Sequence, residues 1–323
     1  MIKFGTGVKI KSGIKIGVSD NDMILVYEIP DPNTDIELAI QANSTWFDSG
    51  QAVVINWGDG SAKETVSATS GQSGYIGHTY AAAGTYTIRI SGSMKWYGRS
   101  GDVDILGQTL LTRVDSFGKL GLTSLSRAFR GCTGLTSVPK TLPSEVTDMY
   151  AMFSRCSGAA FNPDVSNWNV SNVTNMGYMF GGCNGAGFNP DVSNWDVSKV
   201  TRMDGMFYSC SGAAFNPDMK SWTLKTGVNT TNMFAGSKTQ PTTWLDELLV
   251  AWAANPLQGS NITIDFSPNS FTEVEGAPLP AVADALAILE GKGWTITTAN
   301  PYPAPFTFTS TGTGEGTGTL YLF

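Results

Sequence analysis

The stretch AAFNPDVSNWNVSNVTNM, beginning at Ala159, returns as AGFNPDVSNWDVSKVTRM from Ala186, displaced by 27 residues. This repeat constrains the fold more than any other feature. A unit of about 20–50 residues cannot close a core by itself and must bury its apolar side against the next copy. Aligned on their aromatic residue, five segments share the pattern: LTSLSRAFRGC from Leu122, VTDMYAMFSRC from Val146, VTNMGYMFGGC from Val173, VTRMDGMFYSC from Val200 and the decayed GVNTTNMFAGS from Gly227. Phe129, Phe153, Phe180, Phe207 and Phe234 then lie 24, 27, 27 and 27 residues apart. Stacking of such units predicts columns of equivalent side chains running through one continuous core.

Several columns follow from the alignment. Cys132, Cys156, Cys183 and Cys210 each stand three residues after a column phenylalanine, with Ser237 in the fifth place. Their spacing comes from the repeat, no C-x-x-C pair occurs, and parallel side chains in a column do not point at one another as a disulfide requires. Buried free thiols are therefore expected. Met149, Met152, Met176, Met179, Met203, Met206 and Met233 read as core filler. Trp168, Trp195 and Trp222 keep the same step, as do Asp164, Asp191 and Asp218, and Asn162, Asn189 and Asn216. These tryptophans and aspartates are the candidate ligand-binding residues, since an indole face beside carboxylates suits a sugar ring. The competing expectation is structural: the indoles face inward, three residues after short strands at Val165, Val192 and Met219, and the Asn and Asp side chains tie turns together.

The chain is acidic, with a net charge of −7, which argues against a nucleic-acid partner because phosphate neutralisation needs a basic face. No apolar run reaches the roughly 18 residues of a membrane-spanning helix, so membrane insertion is not expected. The N-terminus MIKFGTGVKIKSGIKIG alternates lysine with Val and Ile and lacks the apolar core of a signal peptide, so release without that export route is expected. Residues 1–19 carry four lysines and no acid, while the rest of the chain holds 16 basic and 27 acidic residues. That asymmetry, with Ser12-Gly13 able to turn between short strands, predicts an arm that docks on an acidic partner.

Between Met23 and Gly92, MILVYEI, DIELAI, AVVINW and TYTIRI are short β-branched or aromatic runs bounded by turn residues, as in an antiparallel sandwich. Gly58-Asp59-Gly60 supplies the positive φ angles of a tight hairpin, and Tyr86, Ile88 and Ile90 share one strand face. His78, the one histidine, is expected to pack beside Tyr80 and to have no catalytic or metal-binding role. Further on, TWLDELLVAWAA places Leu245, Leu248, Leu249 and Trp252 on one helical face, with Thr243 as N-cap and Pro256 as stop. NITIDF and WTITT read as strands, and PAVADALAILEGKG as a second helix ending at Gly291.

Two resemblances rest on these residues. WGDGS followed by HTYAAAGTYTIRI resembles a polycystic-kidney-disease (PKD) domain, an immunoglobulin-like sandwich that serves as spacer or adhesive module. The SNVTNMxxMFxxC pattern is similar to the leucine-rich-repeat-like family of bacterial surface proteins, which also occurs in phage virion proteins. The C-terminal part resembles the helix-strand-helix-strand cap of such arrays. The fold implied is mainly β with short helices: an N-terminal arm (1–20), a PKD-like Ig-like β-sandwich (21–97), a leucine-rich-repeat-like solenoid (98–240), an α/β C-terminal cap (241–300) and a Gly/Thr-rich strand tail (301–323).

The functional expectation is a non-enzymatic structural and adhesion protein, with no catalytic residue, no metal site and no cofactor. The expected setting is the exposed surface of a phage virion, as a fibre or a tail or head appendage; the alternative is a bacterial cell-surface adhesin. Expected partners are other virion proteins through the arm, a host surface glycan or protein, and further copies of the chain in a homo-oligomer. A glycan depolymerase is the third class, and it would need two carboxylates about 5–10 Å apart across a groove.

Overall fold

The computed structural model describes residues 21–71, 74–274 and 277–299. The expected arm hairpin and strand tail lie outside the described residues. Within them the chain is mainly β, with two α-helices near its C-terminal end.

Seven strands form the N-terminal part: β1 Met23–Ile29, β2 Thr34–Gln41, β3 Ala52–Asn56, β4 Glu64–Ser67, β5 Tyr75–Tyr80, β6 Gly84–Gly92 and β7 Leu111–Phe117. They build an antiparallel five-stranded sheet in the order β4-β3-β6-β1-β7 and a separate antiparallel pair, β2 with β5. The period-2 rule is visible in β3 and β6, where Val53, Ile55, Ile88 and Ile90 are buried. Interior strand β1 is buried on both faces except at Glu28. Gly58 and Gly60 take the expected positive φ, at 84° and 88°. Strand β5 is not among the runs that the sequence marks as strands, because its polar residues His78 and Thr79 hide the alternation.

The boundary expected between residues 97 and 98 is corrected by β7. This strand lies inside the segment assigned to the repeats, yet pairs with β1 along Met23–Tyr27 and forms an edge of the five-stranded sheet. The repeats also begin earlier than Leu122. Trp96 bridges to Ser124 in parallel, and the Tyr97 and Arg99 N–H groups donate to the Ser124 and Ser126 carbonyls. Tyr97 heads the phenylalanine column, 5.9 Å from Phe129. Sheet and repeats thus share one hydrophobic core.

From Ser124 onward each repeat unit, 24 residues in the first and 27 in the next three, forms a rung stacked on the last. One parallel bridge joins each pair, through Ser124, Asp148, Asn175, Arg202 and Asn229. The backbone between these bridges bonds regularly across rungs: the N–H groups of Met149, Ala151, Phe153 and Arg155 donate to the carbonyls of Asn175, Gly177, Met179 and Gly181 at 2.7–2.9 Å. The strands expected at Val165, Val192 and Met219 are absent; these positions lie in irregular backbone followed by a turn. The columns are as expected. Rings in the series Phe129, Phe153, Phe180, Phe207 and Phe234 stack at 5.8–5.9 Å, and Phe161, Phe188 and Phe215 at 5.9–6.0 Å. The seven column methionines are buried.

The four cysteines are free and buried. The Sγ–H groups of Cys156, Cys183 and Cys210 donate to the carbonyls of Phe129, Phe153 and Phe180 at 3.0–3.1 Å, so each thiol ties its rung to the one before. Burial pushes Cys132 up to about 12 and raises the other three thiols from the usual 9.0. Unfolded thiols ionise near pH 9 while the buried native ones hold their protons to higher pH, so stability falls as pH rises above 9. The melting temperature should therefore decline steeply above pH 9, and Cys183→Ala should make the decline shallower. Identical slopes for the two proteins would show that Cys183 ionises freely in the native state.

The array ends in helix α1 Thr242–Ala254, β8 Thr263–Asp265, β9 Glu273–Val274 paired with β10 Ala277–Pro278, helix α2 Pro280–Gly291, and β11 Thr295–Thr297. Strands β8 and β11 pair in parallel. Thr243 is not the N-cap: the helix starts one residue earlier, behind Pro241, without a side-chain cap. The array is closed by β8 as well as by α1. Phe266 adds a ring to the phenylalanine column, 5.6 Å from Phe234. The Trp252 indole of α1 donates to the Met219 carbonyl at 2.9 Å, while α2 packs against α1.

Candidate functional site

The structure separates the six predicted ligand-binding residues into two kinds. Trp168, Trp195 and Trp222 are only 3%, 2% and 0% exposed. Their indole N–H groups donate to the carbonyls of Pro139, Val165 and Val192 at 2.8–3.1 Å, each on the preceding rung. Of the two expectations for the tryptophans the inward one fits, and their ligand-binding candidacy is corrected: these rings fill the interior and offer no face to a ligand. A 3.6 or 27 residue period cannot tell an inward ring from an outward one, and burying a tryptophan is favoured once its N–H has a partner.

Asp164, Asp191 and Asp218 are exposed but turned to local work. Asp164 accepts from the Ser166 hydroxyl at 2.7 Å, Asp191 from the Ser193 hydroxyl and N–H, and Asp218 from the Lys220 N–H. The backbone N–H donor two residues on makes Asp191 and Asp218 Asx turns. The asparagine column serves the stack: Asn162 and Asn189 side-chain oxygens accept from the N–H groups of Asn189 and Asn216 at 2.9 Å. Asp218 also lines a cleft of about 210 Å³ with Trp244 and the Lys220–Glu247 ion pair. His78 stacks on Trp57 at 4.6 Å, meets Tyr80 edge-on at 4.8 Å and holds Asp59 at 2.8 Å. Although partial burial opposes it, hydrogen bonds from Ser61 and His78 lower Asp59 to about 2.

A larger groove, about 530 Å³, crosses three rungs on a different face. Its central feature is a ladder of Tyr150, Tyr178 and Tyr208, with ring centroids 6.0 and 6.1 Å apart and planes inclined by 65° and 56°. Tyr208 is 43% exposed, and Tyr150 and Tyr178 are half-buried. Asp102, Arg130, Ser154, Arg155 and Ser209 complete the walls.

The local backbone explains how the groove forms. Every rung enters the left-handed region twice, five and nine residues after its start: at Arg127, Ala151, Tyr178, Gly205 and Asn232, and again at Gly131, Arg155, Gly182, Ser209 and Gly236. These two sharp turns flank the buried residues Phe129, Met152–Phe153, Met179–Phe180, Met206–Phe207 and Met233–Phe234 and leave their own side chains along the groove. A non-glycine residue there costs on the order of 1–2 kcal/mol. Gly205 avoids that cost and also makes room, since a Cβ there would lie 2.4 Å from the Tyr178 ring. Tyr178 occupies the equivalent left-handed position with a bulky ring at φ 52°, as the turn shared by every rung requires.

The charged groups form an ordered rim. Arg127 lies 4.5 Å over the Tyr150 ring and pairs with Asp102 at 2.8 Å; Arg202, paired with Asp204 at 3.1 Å, lies 5.3 Å from the same ring. Buried Arg130 contacts Asp104 at 2.8 Å and Asp102 at 3.7 Å. The Arg127 hydrogen bond holds the Asp102 carboxyl below its usual range, and the Gln108 amide together with Arg130 does the same for Asp104. Both stay ionised and committed to their arginines. Sequence reasoning missed this ladder because Tyr150, Tyr178 and Tyr208 stand four, five and eight residues into their units, out of register with the repeat.

Geometry and sequence together define a class: a mainly β repeat stack, closed at one end by helix and strand, with an aromatic groove across its rungs. Residues 123–245 match the family described as "Mycoplasma protein of unknown function, DUF285". That span holds the repeats and the start of α1, which is consistent with a repeat family of bacterial proteins. No curated protein and no solved structure matches the chain.

Proposed function

We propose that this chain is a non-enzymatic recognition protein that holds a ligand of a cell surface in the tyrosine groove. The N-terminal sheets act as a PKD-like, Ig-like spacer, and the rungs as a leucine-rich-repeat-like solenoid that presents the groove. The tyrosine ladder is the observation that carries this reading. Stacked repeats make extended surfaces, and amphipathic rings on a rigid scaffold bind with little loss of side-chain entropy. A recognition role is favoured over hydrolysis because Asp102 and Asp104 are held ionised by arginines, whereas a glycosidase acid must keep its proton near neutral pH. The setting proposed is the exposed surface of a phage virion, with a bacterial cell surface as alternative, in keeping with the repeat pattern. Docking on other virion proteins through residues 1–20 and assembly as a homo-oligomer belong to the same proposal.

Tyr178→Ala and Tyr208→Ala should weaken adsorption to target cells about tenfold or more. Tyr208→Ala should leave stability within about 0.5 kcal/mol, as for other surface substitutions. Unchanged adsorption of both variants would remove the groove from the account. Mass spectrometry of purified particles tests the setting: the chain should be a stoichiometric component, and its absence there would favour the cell-surface alternative.

A further inference from the structure

Resting on the groove being a binding site, we infer that its ligand is an acidic glycan, with the carboxylate or sulfate of one sugar held by Arg155 and the ring faces of its neighbours laid on Tyr178 and Tyr208. Three observations select this chemistry.

The first is charge. The groove wall carries Arg130 and Arg155 against Asp102, and the ion pairs extend beyond the wall to Arg127 and Asp104. Arg127 and Arg130 are engaged by the two aspartates. Arg155 is exposed and, among the described residues, has no ion-pair partner, although it is near enough to help lower Asp102. One unit of positive charge is therefore left over in a groove on a chain of net charge −7. An exposed guanidinium beside aromatic rings presents a planar fork that matches a carboxylate or sulfate.

The second is the aromatic strip. One ring per rung at about 6 Å spacing offers successive apolar patches, and Tyr150 is already covered by Arg127 and Arg202. Tyr178 and Tyr208 remain for a ligand. Sugar rings present C–H faces to such patches and hydroxyls to the sides, where Ser154 and Ser209 stand.

The third is the backbone, which disfavours a peptide. An extended peptide draws affinity from an unpaired strand edge. Here the N–H groups that could provide one are taken between rungs: Arg155 by Gly181, Gly182 by Tyr208 and Ser209 by Ala235, at 2.7–2.9 Å. Side chains alone face the groove, which suits a polyol with a charged substituent better than a main chain that needs pairing.

The test uses the full chain against immobilised polygalacturonate, hyaluronate, polysialate and a sulfated polysaccharide, with dextran and amylose as neutral counterparts and poly-glutamate as an acidic peptide. Binding to at least one acidic polysaccharide is expected. Arg155→Ala should reduce it about tenfold or more, Arg155→Lys should restore part of it, and Tyr208→Ala should reduce it, all with unchanged melting temperature; added salt should weaken it. Binding to neutral polysaccharides alone, or acidic binding indifferent to Arg155→Ala, would overturn the charge assignment and leave the groove as a glycan site. Preference for poly-glutamate would overturn the glycan class. Binding to no polysaccharide overturns the inference; if Tyr178→Ala and Tyr208→Ala still impair cell adsorption, the groove itself survives, and if they do not, it falls as well.

Discussion

Cys183→Asp is expected to unfold the rung array at pH 7. The Cys183 thiol is fully buried, donates to the Phe153 carbonyl at 3.0 Å and has the thiols of Cys156 and Cys210 as neighbours in its column. A carboxylate in that place would face a carbonyl oxygen with no cation beside it. An unpaired buried charge costs several kcal/mol, comparable with the whole net stability of a domain. Its pKa would rise above the unfolded value near 3.9, so the variant keeps most of its stability below about pH 4 and loses it as pH rises through the raised value. Circular dichroism should show a folded protein at pH 4 and loss of structure at pH 7. Cys183→Ser, which retains the donor, should remain folded at both. In the parent protein none of the four thiols should react with alkylating reagent until the array is denatured. Rapid native labelling of Cys156 or Cys183 would contradict the buried column.

Trp195→Ala should lower stability by about 3–5 kcal/mol from the lost aromatic volume, and by roughly a further 1–3 kcal/mol from the Val165 carbonyl left without its donor. The ring lies between rungs, 6.3 Å from Phe180 and nearly parallel to it, so the defect opens the core of two units at once. A thermal melt decides this directly. A melt within a degree or two of the parent would mean that the indole does not hold the rungs together. The contrast with Tyr208→Ala is diagnostic, because the two aromatic truncations should separate stability from adsorption.

Much of the core was legible in the sequence. Phe129 to Phe234, the cysteines and the methionines stand in columns because a stacked unit gives every equivalent residue the same neighbours, so the period alone assigns them a shared environment. Strands β1, β2, β3 and β6 were visible as β-branched runs between turn residues. β5 was not, since Gly77, His78 and Thr79 break its alternation, and β7 was not, because its partner β1 lies about ninety residues earlier. The candidate site was the least legible part. The tryptophans stood out by their regularity and proved to be interior, while the tyrosines of the groove gave no periodic signal.

What the sequence determined by itself is the translation: a 27-residue step, the columns it generates, and the acidic, repeat-built character of the chain. What only the tertiary structure decided is the radial direction of each side chain. A period states that two residues are equivalent, but whether both point inward or outward depends on where the chain turns within each rung, and here that is set by the paired left-handed turns at positions such as Ala151 and Arg155. Those turns brought Tyr150, Tyr178 and Tyr208 from unequal places in their repeats into one ladder, and sent the evenly spaced tryptophans inside, where the preceding rung's carbonyls satisfy their N–H groups.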